Sequence, residues 1–304
     1  MCLFLVAETA RADEPAVEVI ASVAYAEVDE EKLLADVYMP TGEGPYPGVL
    51  LVHGGAWLAG GKGRMRRIGT ALAERGYVAV SVNYRLAPKH KFPAQLDDCR
   101  TAVSWMRDHA ADYKIDPARI GGFGYSAGAQ LVTLLAFRAA SGAKDEQADR
   151  AAWEKCRLQV VVAGGTPCDF RKLPPDSRYL AFWLGGTRRE QEDLYRSASP
   201  MAFVSTASPP VFLYHGDEDQ LVLPHGAKAL RQALDDVGVE AELVTVAEAG
   251  HIATFMDAQA LSAAYAFLDR HLHPPTIGSQ TTASPEVPYK VNVGPSSPST
   301  ASND

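Results

Sequence analysis

Residues 119–131 read RIGGFGYSAGAQL, and this stretch decides the fold. A strand-type run over 119–124 enters Gly124-Tyr125-Ser126-Ala127-Gly128, and a helical pattern leaves it over 127–141. A serine on so tight a strand-to-helix turn must take a strained backbone conformation, and glycines on either side remove side chains that would clash. The turn presents the hydroxyl above a helix N-terminus, where developing negative charge is favoured. A Gly-rich turn with a capping serine carries the same letters. The strand before and the helix after are what a nucleophile turn requires.

Outward from this turn, strand and helix patterns alternate. Strand-like runs lie at 17–25, 33–39, 48–53, 77–84, 158–163, 211–215 and 242–246, the first two spaced to pair antiparallel. Helical spacing occupies 64–75, closed by Gly76, then 94–112, 226–237 and 252–271, with a turn at Asp116-Pro117. Residues 174–199 are helical only in patches. Such alternation predicts an α/β class: a mostly parallel central sheet of about eight strands with helices on both faces. Ligands then belong in the loops after the strands' carboxyl ends. One domain is expected over 14–273, with 167–202 as a cap-like excursion between core strands.

The flanks read differently. Residues 274–304 are dominated by Pro, Ser, Thr and Ala and are expected to form a disordered tail. Residues 1–7 are apolar, and Ala10-Arg11-Ala12 precedes Asp13 in a small-residue cleavage pattern. Residues 1–13 are therefore either a signal-peptide remnant or a disordered terminus. The first implies a secreted or periplasmic protein, the second a cytoplasmic one.

A net charge of -8 over 304 residues, with no basic stripe, argues against a nucleic-acid partner. No apolar run reaches membrane-spanning length, so stable membrane insertion is not expected. Cys2, Cys99, Cys156 and Cys168 show no metal or C-x-x-C spacing. Buried free thiols are expected, with a Cys156–Cys168 bridge as the alternative. No metal or cofactor is implied. The expected partner is a small molecule, and the expected state a monomer or homodimer.

After the strand at 48–52 comes His53-Gly54-Gly55-Ala56-Trp57. Acyl transfer at a serine needs backbone N–H donors aimed at the oxyanion, and glycines let a loop come that close. The residue after the nucleophile, Ala127, supplies a further N–H. This loop resembles the HGGG-type and HGG-x-W loops of the hormone-sensitive-lipase-like and feruloyl-esterase-like carboxylesterases of the α/β-hydrolase fold. Asn83-Tyr84-Arg85-Leu86-Ala87-Pro88 and Phe92-Pro93-Ala94 resemble that family's link to its next helix. The resemblance implies an oxyanion hole from Gly55, Ala56 and Ala127, with Gly54 shaping the turn. Ala56 departs from the family's third glycine, so the backbone there must tolerate a Cβ.

A serine nucleophile needs a general base, and histidine is the usual one. His53 and His215 each end a strand, and the resemblance makes them loop supports. His90, His109 and His225 read as loop or surface residues, and His271 and His273 sit at a helix C-terminus. His251 remains, after the strand at 242–246 and last in chain order, as this fold demands. Asp217, Glu218 and Asp219 compete for the acid; the family pattern HG-x-x-D-x-x-V selects Asp219. Trp57, Tyr125, Phe170 and Trp183 are the candidate pocket residues, with Tyr179 and Phe182 beside them. The implied activity is hydrolysis of short to medium acyl esters. An amidase, formamidase or peptidase on the same triad is the alternative, and a catalytically inactive binding module is the reading from another class.

Overall fold

The computed structural model describes residues 17–141 and 150–273; the expectations for 1–13 and 274–304 lie outside them. The described strands are β1 (Val17–Val28), β2 (Glu31–Pro40), β3 (Tyr46–Val52), β4 (Val78–Val82), β5 (Ile115–Tyr125), β6 (Val161–Gly164), β7 (Val211–Gly216) and β8 (Ala241–Val246). They form one eight-stranded sheet in the order β1-β2-β4-β3-β5-β6-β7-β8. β1 pairs antiparallel with β2 and β2 with β4, while the pairs from β4 through β8 are parallel.

Interior strands such as β3 and β6 read as almost wholly apolar runs because both faces are covered. β3 shows the two-residue period that divides them. Leu50 and Val52 join one core with Val103 of α2 (Ala94–Asp108) and Leu131 of α3 (Ala127–Ser141). Val49 and Leu51 join the opposite core with Leu72 of α1 (Arg66–Glu74) and Phe267 of α9 (Ala258–Leu272). Each such fully buried side chain contributes roughly 1.5–3 kcal/mol. The two cores clamp the sheet and hold the loops at its carboxyl edge. This is the α/β-hydrolase arrangement.

Several boundaries differ from the sequence pattern. The pattern at 252–271 is two helices, α8 (His251–Thr254) and α9, because the Asp257 carboxylate accepts the Ala260 N–H at 2.8 Å and caps a new start. The helix expected over 94–112 stops at Asp108, and Ile115 N–H bonds back to Ala110 O as the chain enters β5. The Asp116-Pro117 turn falls inside β5: pairing jumps from Pro47 with Asp116 to Gly48 with Ile120, since proline offers the ladder no N–H. A short α4 (Arg150–Lys155) had no periodic signal. The excursion carries α5 (Ala181–Leu184) and α6 (Glu192–Ser197), and α7 (His225–Asp236) covers β8. Cys99, Cys156 and Cys168 are buried, and the alternative Cys156–Cys168 bridge does not form. No helix among the described residues is long and apolar enough to cross a membrane.

Candidate active site

Ser126 leaves β5 with φ 54°, in the left-handed region. Two hydrogen bonds fix it there: its N–H donates to Gly164 O at 2.8 Å, and its carbonyl accepts Gln130 N–H at 3.0 Å. The flanking glycines are required by close approach. A Cβ on Gly124 would strike the backbone of Gly128, and one on Gly128 would strike the carbonyls of Val52 and His53. The turn is thus pressed against the end of β3.

The loops after β7 and β8 bring two further groups to it. Ser126 Oγ lies 2.9 Å from His251 Nε2, and His251 Nδ1 lies 2.6 Å from Asp219 Oδ2. A carboxylate accepts only, so Nδ1 carries the proton and the Nε2 lone pair faces the serine hydroxyl. Asp219 is almost wholly buried, and its other oxygen accepts the N–H groups of Leu221 at 2.9 Å and Val222 at 2.8 Å. One carboxylate therefore orients the histidine and folds its own turn. Asp217 is exposed, and its backbone N–H donates to Val246 O. Glu218 is exposed as well.

Two neighbours brace this pair. His215 Nε2 donates to Val222 O at 2.7 Å and stands 3.2 Å from Asp219 Oδ2, while burial holds its pKa below the ordinary histidine value. It is therefore a neutral support. The Tyr125 hydroxyl donates to the carbonyl of His251, and burial pushes its pKa well above the usual tyrosine value, so it stays a donor. Its ring lies 5.3 Å from the His251 ring.

The loop after β3 closes the site. Gly55 has φ 131° and Ala56 φ 52°, so Ala56 carries its Cβ in the left-handed region. A Cβ on Gly54 would sit 2.8 Å from Tyr125 O and 3.1 Å from Ser126 Cβ. Gly54 thus lets the loop pack on the serine turn. Among the described residues, the N–H groups of Gly55, Ala56 and Ala127 donate to none of the loop and turn acceptors, which leaves them free for an oxyanion. His53 holds the loop from behind: Nδ1–H donates to Gly54 O at 2.8 Å, and the ring stacks on Tyr84 at 4.3 Å.

Burial pushes the His53 pKa down to about 4. The folded chain therefore keeps this ring neutral while the unfolded chain protonates it near pH 6.5. The resulting stability is fully present above that pH and is lost as pH falls toward 4. Denaturant unfolding at pH 7 and pH 5 should show a loss of about 2 kcal/mol from this group. The loss should be absent from His53→Gln; an equal drop in the variant would refute the assignment.

The site opens into a cavity of about 300 Å³. One wall comes from the excursion, with Phe170, Leu180 and Met201; Trp57 and Ala56 of the β3 loop adjoin it. The segment after Asp219 lines the cavity as well, with Leu221, Leu223 and His225. Trp57 is held rigidly: its Nε1–H donates to Gln130 Oε1 at 3.0 Å, and its ring stacks on Trp183 at 3.8 Å. Among the described residues, no group of three or more His, Cys, Asp or Glu side chains is arranged to hold a metal ion.

The sequence profile of the BD-FAE family matches residues 35–234, well over half of the chain. The chain belongs to the BD-FAE family. Among relatives, it is 31% identical to esterase LipQ of Mycobacterium tuberculosis over 63% of this chain and 46% of that protein. To the probable carboxylic ester hydrolase LipM of the same organism it is 32% identical, over 66% of this chain and 48% of that one. The chain spans about half the length of the curated relatives it matches. A solved structure described as a truncated carbohydrate esterase from gut microbiota superposes with a TM-score of 0.75 at 24% identity, over 86% of this chain and 99% of that one. That likeness speaks to fold.

In this BD-FAE chain, Ser126, His251 and Asp219 converge, and Gly54, Gly55, Ala56 and Ala127 border them. Of the expected pocket residues, Trp57, Phe170 and Tyr179 line the cavity. Trp183 and Tyr125 do not. Trp183 is fully buried behind Trp57, with its Nε1–H on Gln95 Oε1 at 3.0 Å. Tyr125 is turned under the His251 loop. Phe182 packs against the core. The wall at 221–225 was missed, and His225, read as a surface residue, belongs to it. The available signal was Leu221-Val222-Leu223, an apolar run in a loop too short for an element.

Proposed function

We propose that this BD-FAE protein is a serine hydrolase of small carboxylic esters that works through an acyl-enzyme. The hydrogen-bonded series from Ser126 through His251 to Asp219 carries the reading. Ser126 Oγ attacks the ester carbonyl carbon as its proton passes to His251 Nε2. The N–H groups of Gly55, Ala56 and Ala127 hold the oxyanion. Collapse breaks the bond to the alcohol oxygen, which takes the proton from His251. Water then attacks the acyl-enzyme with His251 again as base.

A cavity of about 300 Å³, shared between the acyl and alcohol parts of an ester, lies at the small end of ligand pockets, ~300–1,000 Å³, which favours small esters and with them short acyl groups. Purified protein should hydrolyse p-nitrophenyl butyrate with kcat/KM at least about tenfold above palmitate. It should also prefer butyrate to the matching p-nitroanilide. A preference for palmitate defeats the acyl-size claim, and a preference for the anilide makes the enzyme an amidase.

A further inference from the structure

The large apolar side chains exposed among the described residues are Val19, Leu58, Tyr179, Leu221, Leu223 and Ile252. Single exposed hydrophobes are ordinary, but a group gathered around one opening marks a binding surface. All except Val19 lie on the site's own loops. Leu58 follows Trp57, Tyr179 lies on the excursion, Leu221 and Leu223 follow Asp219, and Ile252 follows His251. Tyr179, Leu221 and Leu223 line the cavity itself.

Their exposure is held in place. The Leu221 and Val222 N–H groups both end on Asp219 Oδ1, and Val222 O accepts His215 Nε2–H. Ile252 is the second residue of α8, directly after the ring that bonds Ser126. Apolar side chains fixed in water by the groups that position the histidine are preorganised to meet a ligand.

The chemistry says which part of the ligand. On the ester-hydrolase reading, on which this inference rests, the departing alcohol oxygen takes its proton from His251 Nε2. The alcohol must therefore leave on the histidine's side. The two turns that carry His251 and its carboxylate present Leu221, Leu223 and Ile252, exposed by 60%, 50% and 82%. None of these side chains has a donor or acceptor for a hydroxyl-rich alcohol. We infer that Leu221, Leu223 and Ile252 form an alcohol-side subsite, and that the substrates are short-chain esters of apolar alcohols.

The test is kcat/KM for ethyl, butyl, hexyl and octyl acetate and for an acetylated xylo-oligosaccharide. The wild-type protein should gain about tenfold from ethyl to hexyl acetate, since four methylenes are partly covered. In Leu221→Ser/Leu223→Ser, and separately in Ile252→Ser, that ratio should fall to about two. The ratio of ethyl butyrate to ethyl acetate, which reads the acyl side, should hold. All three residues are exposed, so the variants fold. An active wild-type enzyme with no gain along the alcohol series overturns the subsite and leaves the ester reading intact. A gain that survives both variants, or preference for the acetylated sugar, also overturns it. Inactivity on every ester removes the ester reading and the subsite together.

Discussion

Ser126→Ala is expected to lower kcat/KM for p-nitrophenyl butyrate by at least about 10⁴-fold, because the members of such a triad act as one unit. Covalent labelling by a fluorophosphonate should disappear with it. Alanine keeps the Cβ that already tolerates φ 54°, and the N–H bond to Gly164 and the carbonyl bond from Gln130 are backbone contacts that survive. The melting temperature should therefore stay within a few degrees of the parent. Loss of activity in a folded protein is then loss of the nucleophile. Slow residual turnover is compatible with the proposal, since free N–H donors at Gly55, Ala56 and Ala127 still favour the tetrahedral state. A parent protein that neither hydrolyses esters nor takes the label would be the inactive binding module. Labelling that persists in the variant would place the nucleophile elsewhere. Cys168 also lines the cavity, but its thiol donates toward Thr166 O, and burial pushes its pKa up to about 12, leaving it a poor competitor.

Why some of this was legible in the letters is a matter of range. The turn at Ser126 is local: Gly124 and Gly128 are demanded by atoms within a few ångströms, and a five-residue pattern records the demand. Strand positions were legible because burial on both faces leaves largely apolar runs, as in β3 and β6. Helix ends were less so. Asp257 caps α9 with one carboxylate oxygen, a signal smaller than the apolar spacing that runs across it. The pocket was least legible, because its walls come from distant segments. Trp57 of the β3 loop and Trp183 of α5 are both large aromatics, and only the stacking of one on the other decides which meets the cavity. Gln95 and Gln130 fix that choice by each accepting one indole N–H, and a buried glutamine looks like any other in a helical pattern.

Asp219→Asn should lower kcat by about 10⁴-fold with KM little changed, whereas Asp217→Asn should leave both within about threefold. The difference follows from what each oxygen does. Asp219 Oδ1 accepts the N–H groups of Leu221 and Val222, and asparagine can keep that role with its carbonyl oxygen. The amide NH₂ then replaces Oδ2, 2.6 Å from His251 Nδ1, and it donates where the carboxylate accepted. To make that bond the ring must shed its Nδ1 proton and carry one on Nε2. The face toward Ser126 Oγ, 2.9 Å away, becomes a donor and has no lone pair to take the serine proton. His215 sharpens the prediction: its Nε2–H lies 3.2 Å from the same oxygen and would face the new NH₂, donor against donor, although its bond to Val222 O survives. The turn therefore holds while the base is lost, and the variant should bind substrate normally and turn it over slowly. Asp217 sends no side-chain bond into this network, and its backbone N–H to Val246 O is indifferent to the substitution. Steady-state kinetics on both variants, with thermal melts as controls, decide the matter. A collapse in Asp217→Asn beside a normal Asp219→Asn would transfer the acid to Asp217 and break the series on which the proposed chemistry rests.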